Sequence, residues 1–374
     1  MRKIILTTFF RAENYGAALQ TYALQSVLQD KDFFVEILNF RDPIIEEPYE
    51  LINLKRSSFY FFLRACVSTL IFYKRNKKRH KKFVQFRNAY LHIGKEEYRD
   101  IESIKKNPPK ADIYLTGSDQ VWNTEITKGV SEVYTLNFGD KQIKRVSYAA
   151  SIGNSRICTD DEEVFRRRLL RIDALSVREE TAKRFLEKLL SKKNITVTLD
   201  PVLLRSREEW ETILPKYERS AGKYILAYRV EMNEEYQKIV NDLSKKTGLR
   251  VVHFEKRKVY GNNFYSAYTA GPLEFVNLIK HAEYIVTTSF HGTAFSVIFH
   301  KKFWVVPHQY TGSRVTDLLE VLKISERVVY TCDEYLSKNY EQMIDYEKVD
   351  AILSSEREKS LKWLDRALES KHSK

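Results

Sequence analysis

Short apolar runs alternate with amphipathic segments from the start of the chain. Residues 3–9 form an apolar run with the length of one buried strand, and residues 17–29 repeat apolar side chains at helical spacing. A second apolar run at 35–40 completes a strand–helix–strand pattern. Because parallel strands need a crossover segment between them, this pattern predicts a parallel sheet with helices on its faces.

The same order returns further along the chain, where apolar runs end in polar loops that often contain glycine. The predicted strands are 112–117, 145–153, 174–177, 195–201, 223–230, 249–255, 283–288 and 303–307, and the predicted helices are 160–171, 180–190, 234–246, 272–281, 292–300 and 345–370. Open α/β sheets bind ligands beyond the carboxyl ends of their strands. We therefore expect the functional residues in the loops that follow the strands.

A charged, loop-like stretch near 205–222 is typical of a domain boundary. We expect an N-terminal α/β domain over 1–215 and a C-terminal α/β domain over 216–340. The remaining segment, 341–374, is predicted as an amphipathic helix able to pack back on the first domain. The simplest architecture consistent with this order is two doubly wound, Rossmann-like domains facing a cleft.

A basic and apolar segment interrupts this order and predicts a helical insertion over 55–90. Its apolar part, 57–73, has 17 residues with Arg64 in the middle, whereas a membrane-spanning helix needs about 20 apolar residues. A transmembrane helix is therefore not expected. Two interpretations of 55–87 stay open: a helical hairpin packed on the domain, or an interfacial helix that contacts anionic lipid at the inner face of the membrane.

Basic residues are in excess, with 63 Lys and Arg against 50 Asp and Glu and a formal net charge of +13. Such an excess suits an anionic partner, whether nucleic acid, acidic lipid or a phosphorylated small molecule, without selecting among them. The three cysteines lie far apart, which indicates neither a disulfide framework nor a zinc site. The first apolar run breaks at Arg11 and Glu13, unlike a signal peptide, so a cytoplasmic location is expected.

Six loop motifs, taken in order, resemble those of the polysaccharide pyruvyl transferase family. They run from the first strand to about residue 306: NYGAALQTYALQ (14–25), TGSDQVWN (116–123), SYAASIG (147–153), LSVREE (175–180), TLDPVLL (198–204) and VTTSFHGTAFSVIF (286–299). The resemblance implies a fold similar to the two-domain glycosyltransferase B type. It also implies transfer of pyruvate from phosphoenolpyruvate to a sugar diol, forming a ketal, in exopolysaccharide or capsule synthesis.

The partners implied by the resemblance are phosphoenolpyruvate, as donor substrate, and a lipid-linked or nucleotide-linked sugar. One position departs from the family pattern: some members carry an arginine two residues before the histidine of the last motif, and this chain has Ser289. A nucleotide-sugar-dependent glycosyltransferase of the same architecture is therefore the alternative function. A third hypothesis is a basic adaptor without catalysis, suggested by residues 74–87. No nucleic-acid-binding module is recognisable, so nucleic acid is not an expected partner.

His291 is the first candidate catalytic residue, because it lies where a predicted strand ends and a helix begins. An imidazole there can transfer protons near neutral pH. The helix start, with Ser289, Gly292 and Thr293, suits a bound anion through its backbone N–H groups and dipole. The structural alternative is that Ser289 caps the helix and His291 packs against it.

Arg178 ends another predicted strand, and a guanidinium suits a phosphate or a carboxylate. We expect it to hold the donor anion, and the alternative is an ion pair with Glu179, Glu180 or another acid. Asp200, which precedes Pro201, is interpreted as the end of a strand.

The loop after the strand at 112–117 supplies Asp119 as a candidate base, or as a residue that holds the loop through its own backbone. In the same loop, Ser118 is a candidate substrate-binding residue, and Trp122 a candidate for stacking on a sugar. Ser151, at the end of the next strand, is either a substrate contact or a residue that only ends the strand.

Asn14, Tyr15 and Gly16 form the loop after the first strand and are candidates for binding sugar hydroxyls or the donor anion, with a helix cap by Asn14 as the alternative. No histidine has a companion at metal-ligand spacing. Neither a metal site nor a cofactor besides the donor substrate is predicted.

Overall fold

A computed structural model of the chain describes residues 1–51, 59–153, 159–191, 194–216, 222–256, 263–307 and 312–369, and within these the side chains of all but 59–70 and 159–160. The chain divides into two compact units. The first comprises Met1–Pro48, Arg87–Arg205 and Leu353–Lys374, and the second comprises Tyr49–Phe86 and Ser206–Ile352. The basic segment before Arg87 thus groups with the second unit, whereas the sequence suggested an insertion in the first.

The first unit contains a parallel sheet of order β2-β1-β3-β4-β5-β6. Its strands are β1 Lys3–Thr7, β2 Phe34–Ile37, β3 Ile113–Thr116, β4 Lys144–Ala150, β5 Ala174–Val177 and β6 Ile195–Val197. The helices up to residue 205 are α1 Tyr15–Gln29, α2 Pro43–Glu46, α3 Phe59–Tyr90, α4 Ile101–Lys106, α5 Thr124–Thr127, α6 Thr159–Leu169, α7 Glu180–Leu190 and α8 Pro201–Leu204. Strands β1, β3 and β4 are buried along almost their whole length, as expected for a parallel sheet covered on both faces.

The second unit contains a parallel sheet of order β11-β10-β7-β8-β9. Its strands are β7 Tyr224–Tyr228, β8 Arg250–His253, β9 Phe264–Ser266, β10 Tyr284–Thr287 and β11 Lys302–Val305. The helices from residue 206 onward are α9 Arg207–Glu211, α10 Glu234–Thr247, α11 Pro272–His281, α12 Phe290–Ile298, α13 Ser313–Val321, α14 Cys332–Leu336 and α15 Tyr346–Leu368. The edge strand β9 was not predicted, because it is short and half exposed and has no apolar run.

Strand order reverses beside the first strand of each sheet. In the first unit β1 lies between β2 and β3, and in the second unit β7 lies between β8 and β10. Connections that leave such a pair of strands in opposite directions open a crevice at their carboxyl ends, which is where open α/β sheets bind ligands. The loops after β1 and β3, and those after β7 and β10, are therefore the places where binding residues are expected.

Helix α3 is a single continuous helix of 32 residues. The helical hairpin considered for 55–87 is therefore wrong over the described residues, because no turn interrupts the chain between Phe59 and Tyr90. Residues 55–58 of that prediction lie outside the described part of the chain. Within the described ranges, no helix combines the length and the apolar character that crossing a bilayer requires.

The first prediction concerns the end of β3. Gly117 has φ of +117°, and a Cβ there would lie 2.0 Å from the backbone oxygen of Tyr148 on β4. We predict that Gly117→Ala lowers the free energy of unfolding by about 3 kcal/mol, since it combines backbone strain with a clash against backbone. Gly248→Ala is the matched control, with φ of +67° and nothing within 4 Å of an added Cβ, and should cost about 1 kcal/mol. Equal losses in urea denaturation would contradict the close approach of β3 and β4.

Candidate functional site

A ring of hydrogen bonds joins the loop after β1 to the loop after β3. Gln20 Nε2 donates to Thr8 Oγ1 at 2.9 Å, and Thr8 Oγ1 donates to the backbone oxygen of Ser118 at 3.2 Å. The backbone N–H of Ser118 returns to Gln20 Oε1 at 3.1 Å. All three residues are buried. Gln20, from the first turns of α1, thus fixes the two loops that flank the strand reversal of the first sheet.

The carboxylate of Asp200 continues this network. The hydroxyl of Ser118 lies 2.9 Å from the backbone oxygen of Ala149 and 3.2 Å from Asp200 Oδ2. Arg178 Nη1 donates to the same Oδ2 at 2.6 Å. The other oxygen, Oδ1, caps α8 by accepting from the N–H of Val202 at 3.1 Å. One buried carboxylate therefore holds the loop after β3, the end of β5 and the start of α8.

The guanidinium of Arg178 is enclosed by carboxylates, and its side chain is 1% exposed. Beyond Asp200, it lies 3.9 Å from Asp119 Oδ1 and 3.9 Å from Glu179 Oε2. Burial alone would lower the pKa of Arg178, but Asp200, then Asp119 and Glu179, raise that pKa above its ordinary value. The ion pair considered as the alternative for Arg178 is therefore present, chiefly with Asp200. Its role in holding the donor anion stays a prediction.

Glu179 links the end of β5 to the end of β4. Its side chain is buried, and Oε1 accepts from the hydroxyl of Ser151 at 2.8 Å and from the N–H of Ile152 at 3.0 Å. A Cβ on Gly153 would lie 2.2 Å from Gln120 Oε1, so this loop also packs closely on the loop after β3. The sequence suggested Glu179 only as an ion-pair partner of Arg178, because nothing local marks its contact with Ser151, 28 positions away.

Asp119 and Asn14 take the structural roles that the sequence offers as alternatives to substrate binding: Asp119 holds its own loop, and Asn14 caps a helix. Asp119 has a left-handed backbone with φ of +71°, and its Oδ1 accepts from the N–H of Gln120 at 2.9 Å. Asn14 caps α1, where its Oδ1 accepts from the N–H of Ala17 at 3.2 Å. Tyr15 and Gly16 follow in the first turn of α1 and are buried. Binding roles for these residues stay predictions.

Trp122 lies in the core of the first unit. It is 2% exposed, its Nε1 donates to the backbone oxygen of Tyr134 at 3.0 Å, and its ring meets Phe165 edge-on with centroids 5.7 Å apart. The stacking on a sugar expected for Trp122 finds no support here, because neighbouring side chains of the same unit cover its ring. An aromatic residue in a polar loop fits either role by sequence alone.

The second cluster of candidate residues lies at the strand reversal of the other sheet. The N–H of Thr288 donates to the backbone oxygen of Tyr228 at 3.1 Å, and the N–H of Val230 donates to Thr288 Oγ1 at 3.0 Å. Thr287 Oγ1 donates to the same Tyr228 oxygen at 2.7 Å. These bonds tie the end of β10 to the end of β7 and fix the direction in which α12 begins.

Ser289 caps α12, which is the structural role that the sequence offers as an alternative to anion binding. Its Oγ accepts from the N–H of Gly292 at 3.3 Å, and the hydroxyl of Thr293 donates to its backbone oxygen at 3.0 Å. A Cβ on Gly292 would lie 2.5 Å from Thr287 Oγ1. Only glycine therefore lets the first turn of α12 lie directly against the end of β10.

His291 lies in this first turn. Its side chain is buried, with 7% exposed, and its ring meets the ring of Phe290 edge-on with centroids 5.2 Å apart. The N-terminal end of a helix carries a partial positive charge. The packing considered as an alternative is present, and the same position places an imidazole at the positive end of α12.

Sequence reasoning missed a charged pair at the carboxyl ends of β7 and β8. Arg229 Nε lies 2.5 Å from Glu255 Oε1, and its Nη2 donates to Oε2 at 2.7 Å. Nearby, burial lowers the pKa of His253, although Glu255 opposes the shift. Arg229 directly follows its strand, as Arg178 does. This strand-end position is the sequence signal that could have marked Arg229 as a candidate. Within the described residues, no group of three or more His, Cys, Asp or Glu side chains is arranged to hold a metal ion.

The chain is similar to one protein family in sequence and to several solved structures in fold. The sequence model of the polysaccharide pyruvyl transferase family matches residues 14–310, and no curated protein sequence matches the chain. UDP-GlcNAc 2-epimerase of Methanocaldococcus jannaschii, in complex with UDP-GlcNAc and UDP, is 15% identical over 98% of both chains, with a TM-score of 0.52. The corresponding epimerase of Rickettsia bellii is 12% identical over 98% of this chain and 99% of its own, with a TM-score of 0.50.

A complex of S. aureus MnaA with UDP is 15% identical over 95% of this chain and 91% of its own, with a TM-score of 0.51. At these identities the likeness shows the fold alone. Two parallel-sheet α/β domains of the glycosyltransferase B-like class, as expected from the sequence, are therefore confirmed.

The second prediction tests the Arg178–Asp200 pair with a double-mutant cycle. Arg178→Met leaves buried carboxylates without their cation, and Asp200→Asn removes the nearest anion. Each single change should lower the free energy of unfolding by about 3–5 kcal/mol. The double variant should lose at least about 1 kcal/mol less than the sum of the two. The control cycle uses the exposed pair Lys348–Asp345, joined at 2.8 Å, where no coupling is expected. If the losses of unfolding free energy at Arg178 and Asp200 are additive, the two side chains are not coupled and the ion pair does not stabilise the fold.

Proposed function

Because the chain belongs to the polysaccharide pyruvyl transferase family, we propose that it transfers pyruvate from phosphoenolpyruvate to two hydroxyls of one sugar. The product is a cyclic pyruvate ketal, formed during exopolysaccharide or capsule biosynthesis. The match of the family over residues 14–310, which covers the loops at both strand reversals, carries this proposal. The proposed acceptor is a lipid-linked or nucleotide-linked sugar, and no cofactor besides the donor is invoked.

The reaction sets clear chemical demands. The methylene carbon of the donor gains a proton and becomes a methyl group, and the first sugar hydroxyl adds to the neighbouring carbon and loses its proton. Phosphate then leaves with its C–O bond electrons, and the second hydroxyl adds at the same carbon and loses its proton. The site must therefore bind two anionic groups, move protons and tolerate positive charge that develops at one carbon.

We assign proton transfer to His291. An imidazole takes and gives protons near neutral pH, and the reaction requires both steps. Its place in the first turn of α12, at a strand reversal, is where a ligand of an open α/β sheet is expected. A donor anion at the same helix end would be stabilised by the helix dipole.

Ser289 can contribute one hydrogen bond to such an anion. Its Oγ accepts the N–H of Gly292, which leaves its own hydroxyl proton to donate to a ligand oxygen. Thr293 is used differently, because its hydroxyl proton goes to the backbone oxygen of Ser289. Thr293 therefore holds the turn in place, while Ser289 is the candidate contact.

For the first sheet, we propose that Arg178 acts through Asp200. The short contact between them holds Ser118, and with it the loop that presents Asp119. Asp119 is the candidate base for a sugar hydroxyl, because its side chain is 13% exposed whereas that of Arg178 is 1% exposed. For Arg178 to hold the donor directly, a substrate anion would have to compete with Asp200.

A nucleotide-sugar-dependent glycosyltransferase is the second candidate. The observation that favours it is Ser289 itself, since this chain lacks a cation where some family members place one to hold the donor phosphate. The two candidates differ in the product that the enzyme releases, which is inorganic phosphate for pyruvyl transfer and a nucleotide for glycosyl transfer.

The third prediction concerns His291. With phosphoenolpyruvate and a panel of sugar acceptors, the wild type should release phosphate, and His291→Ala should lower kcat by about 10²–10⁴-fold. His92→Ala, at an exposed histidine that contacts Gln29, is the matched control and should stay within about twofold of wild type. Nucleotide release from nucleotide sugars is followed in parallel. Nucleotide release with no phosphate release would favour the glycosyltransferase, and an active His291→Ala would remove the catalytic role of this residue.

The fourth prediction separates the two roles of Arg178. Arg178→Lys keeps the charge but loses the planar fork that meets Asp200. If Arg178 acts through Asp200, the melting temperature should fall while the donor KM of the folded enzyme changes by less than about twofold. A donor KM raised about tenfold or more at an unchanged melting temperature would instead show that Arg178 holds the donor.

A further inference from the structure

Helix α3 divides its basic residues between two faces. One face is fixed to the second unit by arginines: Arg75 Nη1 donates to the backbone oxygen of Lys256 at 2.6 Å, and its Nη2 donates to Ser266 Oγ at 2.7 Å. One turn later, Arg79 Nη1 donates to the backbone oxygen of Tyr268 at 3.0 Å. These two guanidinium groups therefore donate hydrogen bonds to the second unit.

The same face continues through Lys82 and Phe83. Lys82 Nζ donates to Glu274 Oε1 at 2.6 Å, and Phe83 is fully buried, with 0% exposed. A Cβ on Gly271 would lie 2.9 Å from the Cβ of Lys82. The helix therefore lies tightly against the start of α11, and its orientation on the second unit is fixed.

The other face of α3 carries a different set of side chains. Lys74, Lys77, Lys78 and Lys81 are all exposed, and they span two turns of helix, or about 10 Å. Ile71 is 64% exposed and precedes Lys74 by three positions, so it lies on the same side. Within the described part of the chain, no ion pair involves any of the four lysines, whereas Lys82 pairs with Glu274. We call these five residues the lysine face.

We propose that the lysine face binds the anionic surface of a lipid bilayer. Four ammonium groups on one side of a helix, with no acidic partner among the described residues, form a compact patch of positive charge. Clusters of this size bind anionic headgroups. An exposed isoleucine in line with them can enter the boundary between headgroups and acyl chains. This inference goes beyond the proposed reaction and does not depend on it.

The division of residue types favours lipid over nucleic acid. Recognition of nucleic acid relies on guanidinium forks and on aromatic rings that stack on bases. In this helix, Arg75 and Arg79 are committed to the other face, and Phe83 is buried. Lysine is a point charge without fixed geometry, which suits a fluid surface of anionic headgroups.

Sedimentation with vesicles tests this proposal on the full chain. The vesicles contain phosphatidylcholine alone or with about 30 mol% phosphatidylglycerol, and the wild type should bind only the anionic ones at low salt. Each lysine near such a surface contributes about fivefold to partitioning. The variant with Lys74, Lys77, Lys78 and Lys81 all changed to Gln should therefore bind at least about 100-fold more weakly, and high salt should release the wild type.

A matched variant controls for total charge. Lys106, Lys110, Lys141 and Lys188 are exposed lysines of the first unit, and changing all four to Gln removes the same charge. This control should bind anionic vesicles within about threefold of wild type. If the two quadruple variants bind equally, the lysine face is not the contact and the proposal fails. Single changes, Lys74→Gln and Lys81→Gln, should each weaken binding about fivefold, and they keep the test valid if the quadruple variant does not fold.

A final comparison separates lipid from nucleic acid. Ile71→Ser removes the apolar side chain and keeps every charge, so it should weaken binding to anionic vesicles by about threefold or more. The same change should leave binding to a 20-nucleotide single-stranded RNA unchanged. Binding of the wild type to this RNA without binding to anionic vesicles, lost in the lysine variant, would identify nucleic acid as the partner and overturn the proposal.

Discussion

The buried ion pair between Arg178 and Asp200 is the contact on which the loops of the first sheet depend. Charges are costly to bury, and they are stable there only when paired and hydrogen-bonded. Asp200 meets this condition by accepting from Arg178, from the hydroxyl of Ser118 and from the backbone at the start of α8. The loop after β3, the end of β5 and the start of α8 are thereby held by one carboxylate. The arrangement of the loop after β3, including the direction in which Asp119 is presented, follows from this pair.

In the second sheet, uncharged groups hold the loops at the strand reversal. Hydroxyl and backbone hydrogen bonds join the ends of β7 and β10, and the glycine at position 292 lets α12 begin directly against the strand. The result is a helix start with a partial positive charge and a histidine in its first turn. Ser289 adds no charge, so the anion that we propose to bind there would meet only the helix end and one hydroxyl. The family follows from the match over residues 14–310 and does not depend on this position, whereas the identity of the donor does.

Helices and strands with regular apolar spacing could be predicted from the sequence, whereas the individual hydrogen-bond and ion-pair partners of a side chain could not. Strand 174–177 and helix 272–281 match the structure at both ends, because their apolar spacing is regular and turn residues bound them. The continuous helix α3 was predictable in principle, since no Gly or Pro occurs between Phe59 and Tyr90. For the site, strand-end positions made Arg178 and His291 candidates. Asp200, the partner of Arg178, lies 22 positions away in sequence, and no local pattern indicates that the fold brings them together.

The most direct test of these roles is a crystal structure of the protein grown with phosphoenolpyruvate. The predicted result is the phosphate or the carboxylate of the donor at the N-terminal end of α12, within hydrogen-bond distance of Ser289 Oγ and close to His291. The contact between Arg178 and Asp200 should remain intact in the same structure. A donor phosphate bound to the guanidinium of Arg178, with Asp200 displaced, would contradict this assignment of roles.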